Sequence, residues 1–296
     1  MKSKFRRCRQ TATSSRISAR KYASIANVSD HENGTNIDRP SYLRLNLPAD
    51  RSDRLAAIRE AFPDAKGPDA VVAGGRAAGL KKLAEINPSE YGRTRNFLTG
   101  KVSGLSPYLR HGAITLAECR DQALKCSGAQ AAYKFISELA WRDFWRRVWY
   151  DKGDAINEPL ELPKVPLGDG EMPSDIKDGA TGLRCMDGFV GDLIATGYVH
   201  NHARMWFAAY CVHVRKLNWR ECADFYYSHL LDGDKASNYL SWQWVASTFA
   251  AKPYFFNRDN LEKYSAGRYC KSCHAKCPFD KSYAELESTL FEAETA

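Results

Sequence analysis

The stretch Asp232–Trp244, DGDKASNYLSWQW, holds the densest set of residues able to do chemistry. Two carboxylates, Asp232 and Asp234, flank a glycine where a helix should begin. Asn238 follows one turn later, and Trp242 and Trp244 are separated by a single residue. On a helix, Asp234, Asn238, Ser241, Trp242 and Val245 fall at i, i+4, i+7, i+8 and i+11 and share one face. Trp244 is turned about 200° from Trp242, toward another surface. A helix that only packs would place apolar groups at the Asp, Asn and Ser positions. This one offers polar groups and an oxidisable indole to one neighbour, which suits a bound aromatic cofactor and electron transfer. A second set lies near the C-terminus, where Cys270, Cys273 and Cys277 are spaced C-x2-C-x3-C-P. Three thiols in so short a run, followed by proline, point to Fe–S or zinc ligation, the fourth ligand being His274 or a distant residue.

The elements that must position these groups are helical. Asp50 is an N-cap candidate before RLAAIREAF, which Pro63 ends. Helical periodicity recurs over 72–86, 106–126, 129–151, 187–216, 219–231, 235–248 and 281–293. Alternating β patterns are almost absent, so the body is predicted to be a mostly α-helical single domain. Residues 152–181, rich in Pro, Gly and Asp, read as a long surface connection. The boundaries expected are a tail over 1–49, a helical domain over 50–256, and a Cys-bearing extension over 257–296 packed on the same domain.

Two of these helices carry mixed faces. On 129–151, Glu138, Trp141, Arg142, Trp145 and Trp149 lie together, and Tyr133, Ile136, Ala140, Phe144 and Val148 form another face. The second set reads as ordinary core. The first joins a carboxylate, a guanidinium and indoles, as a cavity wall or an aromatic rim would. On 198–216, Asn201, Arg204, Met205, Ala208 and Val212 share a face, with Asn201 and Arg204 either solvated or ligands to something buried. Arg204 and Asp232 are an available ion pair.

Composition narrows the class. The chain has 296 residues, 44% of them hydrophobic, enough for a sizeable core. No apolar run approaches the roughly 18 residues of a membrane span. The net charge of +8 comes from the head: residues 1–29 hold eight Lys and Arg and no acid, and the remainder carries 35 charges of each sign. A nucleic-acid partner would meet a local basic patch and not a basic protein. The Arg- and Ser-rich head resembles an organellar transit peptide, for chloroplast or mitochondrion, or is a basic arm. With no secretory segment visible, an intracellular body is expected, and its nine cysteines read as thiols or metal ligands and not as a disulfide framework.

GLSPYLRHG (104–112), ELAWRDFW (138–145), TGYVHNHARM (196–205) and DGDKASNYLSWQW resemble, in that order, four motifs of the FAD-binding domain of the photolyase/cryptochrome family. The match spans about residues 75–256 and implies an all-helical fold that binds FAD. By this resemblance Tyr91 and Ser103, Gly104, Leu105 and Ser106 contact the FAD phosphates. Ser106-Pro107 reads as an N-cap followed by Pro at the first helical position, with free N–H groups for a pyrophosphate. Glu138, Trp141 and Arg142 lie at the cavity, Arg204, Asp232 and Asp234 surround the flavin ring, and Asn238 faces its N5. Trp242 and Trp219 match the first two members of the family's tryptophan chain. The third has no counterpart in 152–181, leaving Trp149, Trp206, Tyr210, Tyr226 or Tyr227 as substitutes.

There are departures. The family's N-terminal α/β antenna domain has no counterpart here, so no antenna chromophore is expected and light harvesting falls to FAD. Val102 replaces a hydroxyl residue, and His202 stands where dimer photolyases often carry an Arg near the substrate, although Asn201 and Met205 match them. The C-terminal KPY, YC-x2-C and CPF elements resemble the iron–sulfur bacterial cryptochromes and photolyases. That likeness implies a [4Fe–4S] cluster on Cys185, Cys270, Cys273 and Cys277, with zinc and His274 as the alternative. The short x3 spacing departs from that group.

Three functions follow as expectations. The first is light-driven repair of cyclobutane pyrimidine dimers in UV-damaged DNA, single strands included. The flipped lesion would meet Glu138, Trp141, Asn201, Met205 and Trp244. The second is a cryptochrome-like blue-light receptor. The third is a light-independent flavin/Fe–S electron carrier. The retained motifs favour repair.

Overall fold

The computed structural model describes residues 47–63 and 72–292. The transit peptide expected over 1–29, and the tail apart from residues 47–49, lie outside the described residues. Cα proximity divides the chain into two units, 1–66 and 67–296. In the first, helix α1 (Arg51–Ala61) starts at Asp50, whose carboxylate accepts from Ser52 N at 2.7 Å and Asp53 N at 3.3 Å. That is the cap expected from the sequence.

The second unit holds α2 (Gly75–Ala84), α3 (Pro88–Thr94), α4 (Ser106–Arg110), α5 (Leu116–Lys152), α6 (Ser174–Lys177), α7 (Arg184–Thr196), α8 (Asn201–Ala209), α9 (Trp219–His229), α10 (Lys235–Val245), α11 (Arg258–Ser265) and α12 (Tyr283–Phe291). One isolated bridge, Gly170 to Leu217, is the β-pairing among the described residues. The mostly helical fold expected from the sequence is therefore the observed one.

Helix boundaries differ where glycine and caps intervene. The pattern over 106–126 is two helices, because Gly112 has a φ of 71° and a Thr115–Glu118 capping box restarts the chain as α5. Gly128, at φ 71° and ψ 169°, kinks α5 where the expected 106–126 and 129–151 patterns part. The 187–216 pattern divides at Gly197, a left-handed residue that ends α7. The 152–181 connection is not a free surface loop: Ile156, Met172 and Ile176 are fully buried within it.

The core face of α5 also differs from the expectation. Tyr133 is 72% exposed, Phe144 43% exposed and Ala140 exposed, whereas Ala132 and Phe135 are buried. The helix packs on α3 and α10. The face carrying Ala132 and Phe135 joins a small core with Leu83, Leu105, Tyr108 and Ile114, which leaves Tyr133 and Ala140 on the outer side. A larger core, including Trp206, Phe207, Tyr226, Leu240 and Phe279, unites α7 to α11.

His213 lies wholly inside this larger core, on a π-turn (Tyr210–Val214) that extends α8. Its Nε2–H donates to the Val245 carbonyl at 3.0 Å, and its Nδ1 is buried without a partner. Burial pushes the imidazole down to about 4. Between the ordinary histidine value of about 6.5 and pH 4, the unfolded chain binds a proton here that the folded chain does not. Stability should fall as pH drops through that window, by about 1.4 kcal/mol per pH unit for this group. Denaturant unfolding of His213→Gln, which keeps a donor, should show that much less slope; an unchanged slope would contradict the assignment.

Candidate cofactor site

Between the two cores lies an open cleft with about 1290 Å³ of empty space, its solvent-open mouth included. Its walls come from α3, α5, α8, α9, α10 and the loop before α4. Arg142 of α5 holds these walls together. Its Nη1 donates to the Asp234 carboxylate, its Nη2 donates to Ser106 Oγ at 2.9 Å, and Nη2 stands 3.9 Å from Asp232. Asp234 also caps α10, accepting from Ser237 N at 2.9 Å. Gly233, at φ 49°, supplies the left-handed turn that brings the two carboxylates to one guanidinium. Arg110 Nε donates to the Gly233 carbonyl at 3.1 Å, tying the end of α4 to the same turn.

On α10, the Asn238 Nδ2 donates to the Ala223 carbonyl at 2.9 Å. That bond fixes the amide and leaves its oxygen for a ligand in the cleft. Trp242 is buried on the same wall, edge-on to Tyr226 and Phe207. On α8, Asn201 and Met205 face the cleft, their Nδ2 and Sδ 3.7 Å apart, and Arg204 donates to the Val199 carbonyl at 2.8 Å. Glu138 is paired with Arg95 at 3.4 Å and Lys134 at 2.8 Å. Tyr91 lines the cleft with its phenol pushed up to about 12, by burial first and then by the Glu138 charge. Trp141 stands at the rim, 46% exposed, in ring contact with Phe144 and Trp145; both of these also touch Phe249.

The cleft thus brings together Tyr91, Ser103, Gly104, Ser106, Glu138, Trp141, Arg142, Asn201, Arg204, Met205, Asp232, Asp234, Asn238 and Trp242. Three expected residues lie elsewhere. Leu105 is buried in the small core, Trp219 is buried on α9, and Trp244 packs on Tyr254 at the surface. Three readings need correction. Ser106 is not the N-cap of α4: it is the first helical residue, and its hydroxyl serves Arg142. The Arg204–Asp232 pair does not form, because Arg142 is the cation beside Asp232. His202 does not face the cleft: its Nδ1–H donates to the Asn96 carbonyl at 2.8 Å and its ring lies tilted against Trp206, with centroids 4.3 Å apart.

Arg95 and Tyr198 also line the cleft, and no helical periodicity singled them out. Gln243, between the two tryptophans, is fully buried. Its Nε2 donates to the Ile156 and Glu158 carbonyls at 2.8 and 3.0 Å, and its Oε1 accepts from Leu160 N at 2.9 Å. It pins the 152–181 connection to α10; its position inside WQW was the available signal.

A family model described as the FAD binding domain of DNA photolyase matches residues 135–284. The chain belongs to that family. A deoxyribodipyrimidine photo-lyase of Streptomyces griseus is 34% identical over 181 residues, 59% of this chain and 39% of that protein. A Synechocystis cryptochrome superposes with a TM-score of 0.60 at 26% identity, over 70% of this chain and 47% of that one. An archaeal photolyase from Sulfolobus tokodaii, solved with two FAD molecules, gives 0.58 at 28% identity, over 67% and 46%. The chain spans less than half the length of each of these photolyase and cryptochrome relatives.

The residues of the photolyase-type cleft fit FAD. Asp232 Oδ1 is buried and has no protein partner, so a bound donor is needed to satisfy it. Gly104, at φ 62°, opens the loop beside Ser103 and Ser106, and an added Cβ there would come within 3.3 Å of the Lys82 side chain.

A second cavity is lined by Cys185, Cys270, Cys273 and Cys277. Cys185, on the first turn of α7, is held up to about 12 by burial and then by the other three thiols. Gly188 admits the Tyr269 ring, whose Cε1 is 3.0 Å from where a Cβ would be, and Arg184 donates to the Ser272 carbonyl at 3.1 Å. These contacts seat the Cys-bearing loop on α7. His274 is exposed and outside this lining. Among the described residues no group of three or more His, Cys, Asp or Glu side chains is placed to hold a metal ion.

Arg142→Lys keeps the charge and loses the fork that serves Ser106 and Asp234 together. FAD affinity, read by quenching of flavin fluorescence, should fall roughly tenfold to a hundredfold, the equivalent of about 1.5–3 kcal/mol of charged hydrogen bonding. Unchanged affinity would remove Arg142 from its central place.

Proposed function

We propose that the domain binds FAD in the cleft and repairs cyclobutane pyrimidine dimers in UV-damaged DNA by light-driven electron transfer. The observation that carries this reading is the cleft mouth. An exposed indole, Trp141, and a doubly paired carboxylate, Glu138, share one cavity with the amide of Asn238 and the orphan carboxylate oxygen of Asp232. Bound FAD supplies the one-electron photochemistry. The protein binds, orients and excludes water. Asp232, with its unpartnered oxygen, and the amide oxygen of Asn238 would hold the isoalloxazine, and Ser103, Gly104 and Ser106 would hold the phosphates. Trp242 and Val245 close the inner wall with apolar surface.

At the mouth, Trp141 stacks on a flipped base, and Glu138, oriented by Arg95 and Lys134, accepts from base N–H groups. Asn201 and Met205 complete that wall. No protein acid or base is required for splitting the dimer. The relatives named as deoxyribodipyrimidine photo-lyases support the dimer as substrate. A light-sensing role is the second reading, favoured by one departure: the side chain at position 202 is turned into the core and not toward the substrate.

The four thiols around the second cavity favour a [4Fe–4S] cluster held by Cys185, Cys270, Cys273 and Cys277, which would supply one-electron redox capacity or tie the C-terminal segment to α7. Zinc through His274 lacks support because that side chain lies outside the cavity.

Glu138→Ala and Trp141→Ala should retain FAD and lose dimer repair. Trp141→Ala should also weaken binding to dimer-bearing DNA by about 1–3 kcal/mol, the worth of one base stack. Full repair by both variants would contradict the substrate assignment. Metal analysis of anaerobically purified protein should find about four irons per chain, and Cys185→Ala should lose them. Iron retained in that variant would exclude Cys185 as a ligand.

A further inference from the structure

An electron path that ends in a tyrosine needs more than a ring. One-electron oxidation makes the phenol strongly acidic, so at neutral pH the hydroxyl proton must leave with the electron, and a base must be ready to take it. Tyr239 on α10 meets that requirement. Its ring is buried, and its hydroxyl donates to the carboxylate of Asp224 on α9. Asp224 is itself exposed and can pass a proton to water. Trp242 lies three residues on along the same helix, which puts the two Cβ atoms roughly 5–6 Å apart. Tyr227 is the ring neighbour at 5.8 Å, and Arg220 and Lys235 are the charged groups nearby.

The aromatic residues put forward from sequence lack this arrangement. The Tyr226 hydroxyl is buried with no partner, so its proton has no exit. The Tyr210 oxygen accepts from the Arg215 guanidinium at 2.9 Å, a cation and not a base. Tyr227 has no hydrogen-bonded base among the described residues. Trp206 is wholly enclosed, with its Nε1 donating to Asn260. Trp149 has Tyr150 as its ring neighbour among the described residues.

We propose that Tyr239, with Asp224 as its proton acceptor, is the surface end of the electron path that Trp242 and Trp219 begin. This rests on the light-driven reading above. The oxidant is the photoexcited, oxidised isoalloxazine, which takes one electron from the indole pair. The oxidised indole takes one electron from Tyr239; the phenol O–H breaks, and its proton moves to the Asp224 carboxylate. The products are a neutral indole, a neutral tyrosyl radical, a carboxylic acid that exchanges with water, and the cofactor holding the one transferred electron. Asp224 acts as a positioning residue and proton acceptor, and touches no cofactor.

The test is blue-light excitation of FAD-loaded protein with oxidised flavin, followed by transient absorption and electron paramagnetic resonance. Flavin content and circular dichroism are checked for every variant. The wild type should form a tyrosyl radical more slowly in D₂O than in H₂O. Tyr239→Phe should lose the tyrosyl signal, and its tryptophanyl radical should decay sooner. Asp224→Asn, which keeps the size of the side chain and removes the base, should slow tyrosyl formation by about 10²-fold or more, the scale of a positioned proton acceptor. Tyr227→Phe should retain the tyrosyl signal. A tyrosyl radical persisting in Tyr239→Phe, or a wild type that forms only a tryptophanyl radical, would overturn this inference and leave the light-driven reading standing. A flavin-loaded wild type that forms no aromatic radical in light would also overturn this inference, while repair, which starts from reduced FAD, stands or falls on dimer content in light and dark.

Discussion

The cleft depends on one buried guanidinium. Arg142, on α5, joins the first turn of α4 to the Asp-Gly-Asp turn that starts α10, through Ser106, Asp234 and Asp232. Side chains of Arg142, Asp232 and Asp234 are only 12%, 7% and 5% exposed. Burying three charges is costly, and removing one member of such a set typically costs about 3–5 kcal/mol. A fold that needed only stability would place apolar groups here. The cluster instead sets where α10 begins and how it is rotated, and thereby where Asn238 and Trp242 point. Asp232 keeps one buried oxygen free of protein partners within this framework.

Around that framework the molecule divides its work between two cavities. The first joins polar groups deep in the cleft to exposed aromatic rings at its mouth. The second is walled by four thiols and is closed by contacts from the C-terminal segment to α7. Aromatic neighbours run from Tyr269 beside the thiols through Phe189 to Trp206, at ring separations of 5.3 and 6.0 Å. The thiol loop is therefore packed into the same core that carries Trp242 and Tyr226.

Much of the cleft was legible because its residues repeat at helical spacing on α5, α8 and α10, with polar groups where a packing helix would be apolar. Asp50, Thr115 and the glycine between Asp232 and Asp234 act through local backbone geometry, although the Thr115 cap was not recognised and two helices were read as one. What escaped depends on partners distant in sequence. Nothing near Ser106 shows that its hydroxyl belongs to Arg142. Nothing near His202 shows that Asn96 and Trp206 draw it inward. Tyr239 reads as one more buried aromatic until Asp224, on the neighbouring helix, is seen at its hydroxyl. The outward face of α5 differs for a related reason: its aromatic residues stand at core spacing, while the neighbours α3 and α10 select a different face.

The central claim is that one cleft holds FAD and a DNA lesion together. The most direct measurement is dimer content in UV-irradiated single- and double-stranded oligonucleotides, after incubation with FAD-loaded protein in blue light and in the dark. The account predicts loss of cyclobutane dimers only in light, with intact bases regenerated. Equal dimer content in light and dark, with reduced FAD verified in the protein, would contradict it.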